Sequence, residues 1–434
     1  SKELLDFLSK SPTAFHAVEN YRQILNADGF KELLESEHWD IVPGGKYYVT
    51  RNNTSILAFK VGTKLDNYSF NIVTSHTDSP TFKVKENAEI EVKNKYTQLN
   101  TEGYGGMLCA TWLDRPLSIA GRVLVSEGNS IVTKLLNIDR DLLMIPNVAI
   151  HMNRAANDGF KYNLQVDMLP LLSAGDDRQK DFKQIIADEL GVKKEDILGH
   201  DLYLYNRMAP SIWGANEEFI SAGHLDDLQC GFASLKALLA GYNDESIDIM
   251  ACFDNEEVGS GTKQGADSTL LRDTLVRINS ALGKTEEDYH RALASSFMLS
   301  SDNAHAVHPN HPEHTDATNC TYMNEGVVVK SHAGQKYTSD GVSMAVVKAL
   351  ASGADVPLQY FANRSDKAGG STLGNIAMAQ ASMNAVDIGL PQLAMHSSYE
   401  TAGIKDTYYA ITLMKALFDS HIQETSTHSL EIKR

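Results

Sequence analysis

The hydrophobic pattern along the chain changes period twice. After Ser11-Pro12, the side chains of Phe15, Val18, Ile24 and Leu25 fall on one side of a helix. Serine is a favoured cap and proline a favoured first helical residue, so the helix is expected to open there. Gly44-Gly45 introduces two β-like runs, 46–51 and 55–61, around Asn52-Asn53, the pattern of a hairpin. Residues 68–75 read as another strand, ending at His76-Thr77-Asp78-Ser79-Pro80. Between about residue 81 and residue 216 alternating segments dominate: 82–85, 90–93, 121–125, 147–152 and 163–168, with turn sequences such as Asn157-Asp158-Gly159 between them. One helix interrupts them at 181–190.

After Gly223, helix and strand alternate. A helix follows Asp226-Asp227, then a strand at 246–253, then a helix carrying Leu270, Leu271, Leu275 and Ile278. Strands are expected at 295–301, 326–330, 356–362 and 392–395, and helices at 339–350, 371–382 and 406–420. The order predicts an α/β fold: a discontinuous catalytic α/β domain, 1–85 and 215–434, interrupted by a mainly β insert, 86–214.

Net charge sharpens this reading. At −17 over 434 residues, the chain is a poor partner for nucleic acid or an anionic membrane. An acidic substrate would need a local cation. Four scattered cysteines, none in a metal-knuckle spacing, fit a reduced, cytoplasmic protein. Residues 1–10 lack a signal-peptide pattern, and no apolar run reaches membrane-spanning length.

The chemistry concentrates where Ile247, Ile249, Met250, Ala251, Cys252 and Phe253 run into Asp254-Asn255-Glu256-Glu257. Carboxylates crowded at the end of a buried strand repel one another and need solvent, protons or a cation. Strand ends of open α/β sheets are where ligands bind. Other segments offer His76 and Asp78, Asp226 and Asp227, Asp302, and His396 at comparable positions. Histidine with carboxylate is a ligand set for zinc, manganese or cobalt, and a shared carboxylate suits a pair of ions. Asp78, two residues beyond His76, is placed to accept a hydrogen bond from its non-ligating nitrogen. Asp226-Asp227 also reads as a helix cap, and Glu256-Glu257 as a solvated acidic turn. The loop after Asp302 carries His305, His308, His311 and His314, a possible metal site in itself. Gly259, Gly261 and Gly265 lack the lysine pattern of a phosphate loop.

Six segments carry a family likeness. They are Ser75-His76-Thr77-Asp78-Ser79-Pro80, TWLDRPLSIAGRV from Thr111, Ile150-His151-Met152-Asn153-Arg154, residues 254–260, SDNAHAVHPN from Ser301, and PQLAMHS from Pro391. In order and across nearly the whole chain, they resemble the aspartyl aminopeptidase family. The resemblance implies a di-zinc exopeptidase-type α/β/α domain with an inserted β dimerisation domain, assembled as a homododecamer of dimers. It implies removal of acidic residues, Asp or Glu, from the N-termini of small peptides. It also implies two divalent ions per subunit, zinc first, with manganese or cobalt as alternatives. By motif, His76 and Asp302 would hold one ion, Glu257 and His396 the other, and Asp226 would bridge. Glu256 would be the general base and Asp78 the orienting carboxylate. His305, Lys330 and Tyr337 would line the substrate pocket, and His151 would reach a neighbouring subunit's site or act as a ligand. Segment 363–371 departs from the family pattern. The competing readings are a di-zinc aminopeptidase or deacylase of neutral specificity, and a catalytically idle assembly protein.

Overall fold

The structure, a computed structural model, describes all residues from Ser1 to Arg434. Its centre is a nine-stranded sheet. In spatial order the strands are Lys31–Leu33, Lys46–Arg51, Ser55–Val61, Ser246–Phe253, Ser69–His76, Phe297–Ser301, Asn384–Gly389, Val327–Lys330 and Leu358–Phe361. The four in the middle are parallel, with Cys252 beside Ser75, Leu299 beside Val73, and Ser301 beside Ile388. Their carboxyl ends therefore open along one edge.

Helices cover both faces, which is why the central strands are apolar almost throughout. Lys2–Ser9, Ala14–Ala27, Leu225–Ala240, Gly341–Ala354 and Asp406–Phe418 pack on one face. Leu270–Ala281, Glu286–Ala294 and Leu373–Gln380 pack on the other. This is the α/β/α layering expected of the catalytic part.

A six-stranded antiparallel sheet, in the order Ser130–Asn137, Leu117–Glu127, Ile197–Asn206, Thr81–Val92, Tyr96–Tyr104 and Leu171–Ala174, has its own core around Phe82, Trp112, Ile119 and Leu204. The helix Phe182–Leu190 packs on it, capped by Asp181, which accepts from the Gln184 N–H. We propose that this sheet is the insert, as a domain of its own. Because Thr81–Val92 is one bulged strand running through residue 85, the division falls better before Thr81. A third, five-stranded sheet joins Ser211–Trp213, Phe219–Ala222, Glu400–Gly403, Pro391–Leu393 and Ala304–His305 beside the open edge.

Several local expectations need correction. The second helix starts at Ala14, not at Ser11-Pro12, because the Ser11 hydroxyl donates to the Phe7 carbonyl and ends the preceding helix. Residues 147–152 and 163–168 form no strands. Their backbone bonds locally, Met152 N–H to Ala149 and Asp167 N–H to Asn163, and Val148, Ile150, Met152, Leu164 and Val166 are exposed, while Met168 turns into the core of the insert. The expected strand at 392–395 is Pro391–Leu393, so His396 stands in a turn after it. The strand Asn384–Gly389 escaped notice because Asp387 breaks its apolar run; there the Thr338 N–H and the Thr372 hydroxyl satisfy the buried carboxylate.

Gly389 shows how the sheet positions the open edge. Asp302 donates its N–H to the Ile388 carbonyl at 3.0 Å, and a Cβ on Gly389 would lie 2.0 Å from the Asp302 carbonyl oxygen. Gly389→Ala should therefore destabilise the chain by about 1–3 kcal/mol, the usual cost of overpacking. It should also displace Asp302. Denaturant unfolding checks the first effect, and metal content at saturating zinc the second.

Candidate metal centre

The open edge gathers side chains from five separate segments. His76 ends the strand Ser69–His76 and is fully buried. Its Nδ1–H donates to the backbone carbonyl of Asp78 at 3.0 Å, which leaves Nε2 free. Nε2 faces Asp226 Oδ1 at 3.4 Å, Asp302 Oδ1 at 3.8 Å and Glu256 Oε2 at 4.0 Å. His396 is arranged in the same way. Its Nδ1–H donates to the Gly106 carbonyl at 2.9 Å, and its Nε2 lies 3.3 Å from Asp226 Oδ2 and 3.2 Å from Glu257 Oε2. The two oxygens of Asp226 thus face two different imidazoles. His76, Asp226 and Asp302 form one set of three potential ligands, and Asp226, Glu257 and His396 another.

These residues fit bound divalent metal. His76 Nε2, Asp226 Oδ1 and Glu257 Oε1 are buried without a hydrogen-bond partner. Leaving such groups unpaired costs about 1–3 kcal/mol each, more for charged ones. Without cations the cluster has to redistribute protons. Burial and the charges of Asp302, Glu257 and Asp78 push the Glu256 carboxyl up to about 9, and burial pushes Glu257 up to about 7. Burial works against protonation of His396, yet Asp226 and Glu257 outweigh it and raise the imidazole to about 11.

Another set of buried acids holds the backbone of this cluster. Asp78 was expected to orient His76 through its carboxylate. That contact exists at 3.3 Å, but the carboxylate mainly accepts the Glu256 and Glu257 N–H groups, each at 3.1 Å, and the Tyr104 hydroxyl at 2.7 Å. Asp227 accepts the His76 N–H at 3.1 Å. Glu400 accepts the Asp226 N–H at 3.0 Å and the His396 N–H at 2.8 Å. Sequence reasoning missed Glu400 and Tyr104, for neither lies in a pattern that signals chemistry. Of the two readings of Asp226-Asp227, helix cap and metal ligand, the second agrees with where Asp226 points, and both residues have non-helical backbone ahead of the helix proper. Three non-glycine residues at the centre have left-handed backbone: His224 (φ 61°), Asn255 (φ 62°) and His396 (φ 67°). Such strain persists only where surrounding contacts over-determine it. At Asn255 it turns Glu256 and Glu257 out of the strand into a short 3₁₀ turn.

The insert also reaches the centre within its own chain. Leu108 N–H donates to the His396 carbonyl, and a Cβ on Gly105 (φ 73°) would sit 3.1 Å from Glu257 Cβ. Beside the cluster is a cavity of about 360 Å³ lined in part by Asp302, His305, Lys330, Tyr337 and Phe361. Lys330 is buried there. Its ammonium donates to the Asn303 carbonyl at 2.8 Å and lies 5.7 Å above the Tyr337 ring. Burial opposes its charge, but Asp302, Tyr337 and Asp387 keep its pKa above the usual lysine range. His151 is not brought to this cavity: it lies exposed in the turn after Ile150.

The comparisons with known proteins agree with this geometry. The family model described as aminopeptidase I zinc metalloprotease (M18) matches residues 7–418. The chain belongs to that family. It is accordingly a zinc aminopeptidase, and the family resemblance drawn from the motifs is borne out. A "Probable M18 family aminopeptidase 2" of Clostridium novyi (strain NT) is 48% identical over 425 residues, 96% of this chain and 98% of its own. A chain in the cryo-EM structure of the Ape4 and Nbr1 complex superposes with a TM-score of 0.92 at 35% identity, covering 96% of this chain and 85% of that one. The mApe1 dodecamer of S. cerevisiae gives 0.84 at 28% identity, with 96% and 95% covered. No helix is long and apolar enough to cross a membrane.

Glu400 touches none of the facing ligand atoms, yet holds the backbones of two of these residues. Glu400→Ala leaves two buried N–H groups unpaired and should lower zinc affinity about 10–100-fold, the usual effect of losing a group that orients ligands. Zinc titration against a competing chelator checks it.

Proposed function

We propose that this zinc aminopeptidase works with two divalent ions and prefers peptides with an acidic N-terminal residue. The observation that carries the two-ion reading is Asp226, whose two carboxylate oxygens face His76 and His396 separately. In this reading His76 and Asp302 would hold one ion, Glu257 and His396 the other, and Asp226 would be shared between them. When bound, the ions lower the pKa of water and polarise the scissile carbonyl. Glu256 takes the proton from the attacking water and returns it to the leaving amine. Its position supports the role: it lines the cavity, and its Oε2 stands 4.0 Å from His76 Nε2, beside the cluster rather than between the two histidines as Asp226 is. Asp78 fixes that turn through the two N–H groups it accepts.

Acidic preference follows from Lys330. With a net charge of −17, the chain's overall field repels an N-terminal Asp or Glu, and Lys330 is the buried cation in the cavity wall. Its ammonium would pair with the substrate side-chain carboxylate, with His305 and Tyr337 beside it. Losing one partner of such a buried pair costs about 2–5 kcal/mol.

Self-association through the insert belongs to the same proposal. Val148, Ile150 and Met152, which flank His151 in the chain, are 46–84% exposed. A local run of exposed apolar side chains marks an interaction surface. A partner's His151 would then complete the cavity, and the assembly proposed is a dodecamer built from such dimers; the mApe1 structure is a dodecamer. Free cysteines suit a reducing, cytoplasmic setting.

Glu256→Gln should keep its zinc and lose about two to four decades of turnover, the range of general acid–base catalysis. Loss of metal with near-full turnover would exchange its role with that of Glu257. Lys330→Met should depress turnover of Asp and Glu peptides far more than of Leu or Ala peptides; a uniform loss, or a wild-type preference for Leu, would support the neutral-specificity reading instead.

The composite cavity has a separate test. Mixing inactive Glu256→Gln chains with inactive His151→Ala chains should restore part of the activity, since some mixed dimers hold one intact site. No recovery, with subunit exchange confirmed, would place His151 outside a partner's cavity.

A further inference from the structure

The loop between Asp302 and the strand Val327–Lys330 carries three histidines that the catalytic cavity does not use: His308, His311 and His314. Backbone geometry puts them in one column. His311 N–H donates to the His308 carbonyl at 3.0 Å, His314 N–H to the His311 carbonyl at 3.1 Å, and Thr315 N–H to the Pro312 carbonyl at 3.3 Å. These are separate i to i+3 turns that meet at His311, the second a short 3₁₀ turn over 312–314. The rings follow at centroid separations of 5.4 and 5.3 Å.

Glu313 turns its carboxylate into the same column. Its Oε1 lies 3.0 Å from His311 Nδ1 and 3.9 Å from His314 Nε2. One donor atom from each of His311, Glu313 and His314 falls within 4.8 Å of the other two. In a tetrahedral zinc shell with bonds of about 2.0–2.1 Å, donors are about 3.3 Å apart. The observed spacings bracket that value, and small rotations of exposed side chains close the difference. Asn310 N–H donates to His308 Nδ1, so His308 has its Nε2 edge free as a fourth donor. The turn itself is tethered: the Arg364 guanidinium donates to the Glu313 carbonyl and pairs with Asp366.

We propose that His311, Glu313 and His314, completed by His308, form a second, separate metal site for a borderline divalent ion such as Zn²⁺, Co²⁺, Ni²⁺ or Cu²⁺. Imidazole with one carboxylate suits these ions and disfavours Mg²⁺ and Ca²⁺. None of the four residues lines the catalytic cavity. The site stands instead on the rim of a neighbouring cavity of about 280 Å³, lined by His308 and His314, that shares His305, Phe361 and Met395 with the catalytic one. An ion there would cross-link a loop of little regular structure next to the shared wall.

The test is a count. Wild-type protein and His311→Ala/His314→Ala, both full length, are dialysed against the same sub-millimolar free Zn²⁺ at pH 7.5, and bound zinc per chain is measured. The wild type should hold one more ion than the double variant, and Glu313→Gln should bind that ion roughly tenfold more weakly. Retained peptidase turnover shows that the double variant is folded. Equal zinc in the two proteins overturns the proposal, as does an extra ion that Co²⁺ absorption shows to lack histidine ligands. Both chains carry the same catalytic cluster, so the difference stands whether that cluster holds one ion or two.

Discussion

The constraint on which the structure turns is electrostatic. Asp78, Asp226, Asp227, Asp254, Glu256, Glu257, Asp302 and Glu400 crowd the open edge of the sheet, most of them buried, around His76 and His396. Carboxylates in so little water cannot all be ionised unless positive charge is interleaved with them. Two imidazoles and one buried lysine are too few. That imbalance argues for cations more strongly than any single ligand distance.

The acids divide by what they accept. Asp226, Glu257 and Asp302 point oxygens at the free nitrogens of the histidines, whereas Asp78, Asp227 and Glu400 accept backbone N–H groups from the same loops. A carboxylate bonded to backbone donors is a rigid support, and rigid support keeps a reactive geometry within a fraction of an ångström. The left-handed residues Asn255 and His396 stand in the turns that these acids pin. The scaffold below is equally specific: parallel strands deliver His76 and the residues before Glu256 and Asp302 to one edge, and Gly389 lets its strand approach the Asp302 backbone.

The insert takes part in the centre rather than merely decorating it. Tyr104 reaches Asp78, Gly106 holds the His396 ring, and Gly105 permits contact with Glu257. The same insert exposes Val148, Ile150 and Met152 beside His151. A change at the proposed subunit contact could therefore be felt by the His396 side of the centre through the connection at 104–111, where Thr111 also bonds Ser398.

Much of this was legible in the sequence because it rests on local patterns. A buried apolar strand ending in acids, histidine two residues before aspartate, and a change from α/β to β texture need only neighbouring residues to be seen. They pointed to the layered fold, to a β-rich stretch inside it, and to His76, Asp226, Glu256, Glu257, Asp302 and His396, which the structure brings to one edge. The alternation at 147–152 misled for the same reason: period-two spacing records a face, and here that face meets no partner strand. Asp387 hid the strand Asn384–Gly389, since a buried carboxylate reads as a loop until Thr338 and Thr372 are seen to satisfy it. Glu400 and Tyr104 were invisible because their roles are contacts across long sequence separations, with nothing in the flanking residues to record them. The sequence by itself determined which side chains are available for chemistry. Only the tertiary structure decided which atoms face one another, because that depends on strand register and on turns held by hydrogen bonds between residues far apart in the chain.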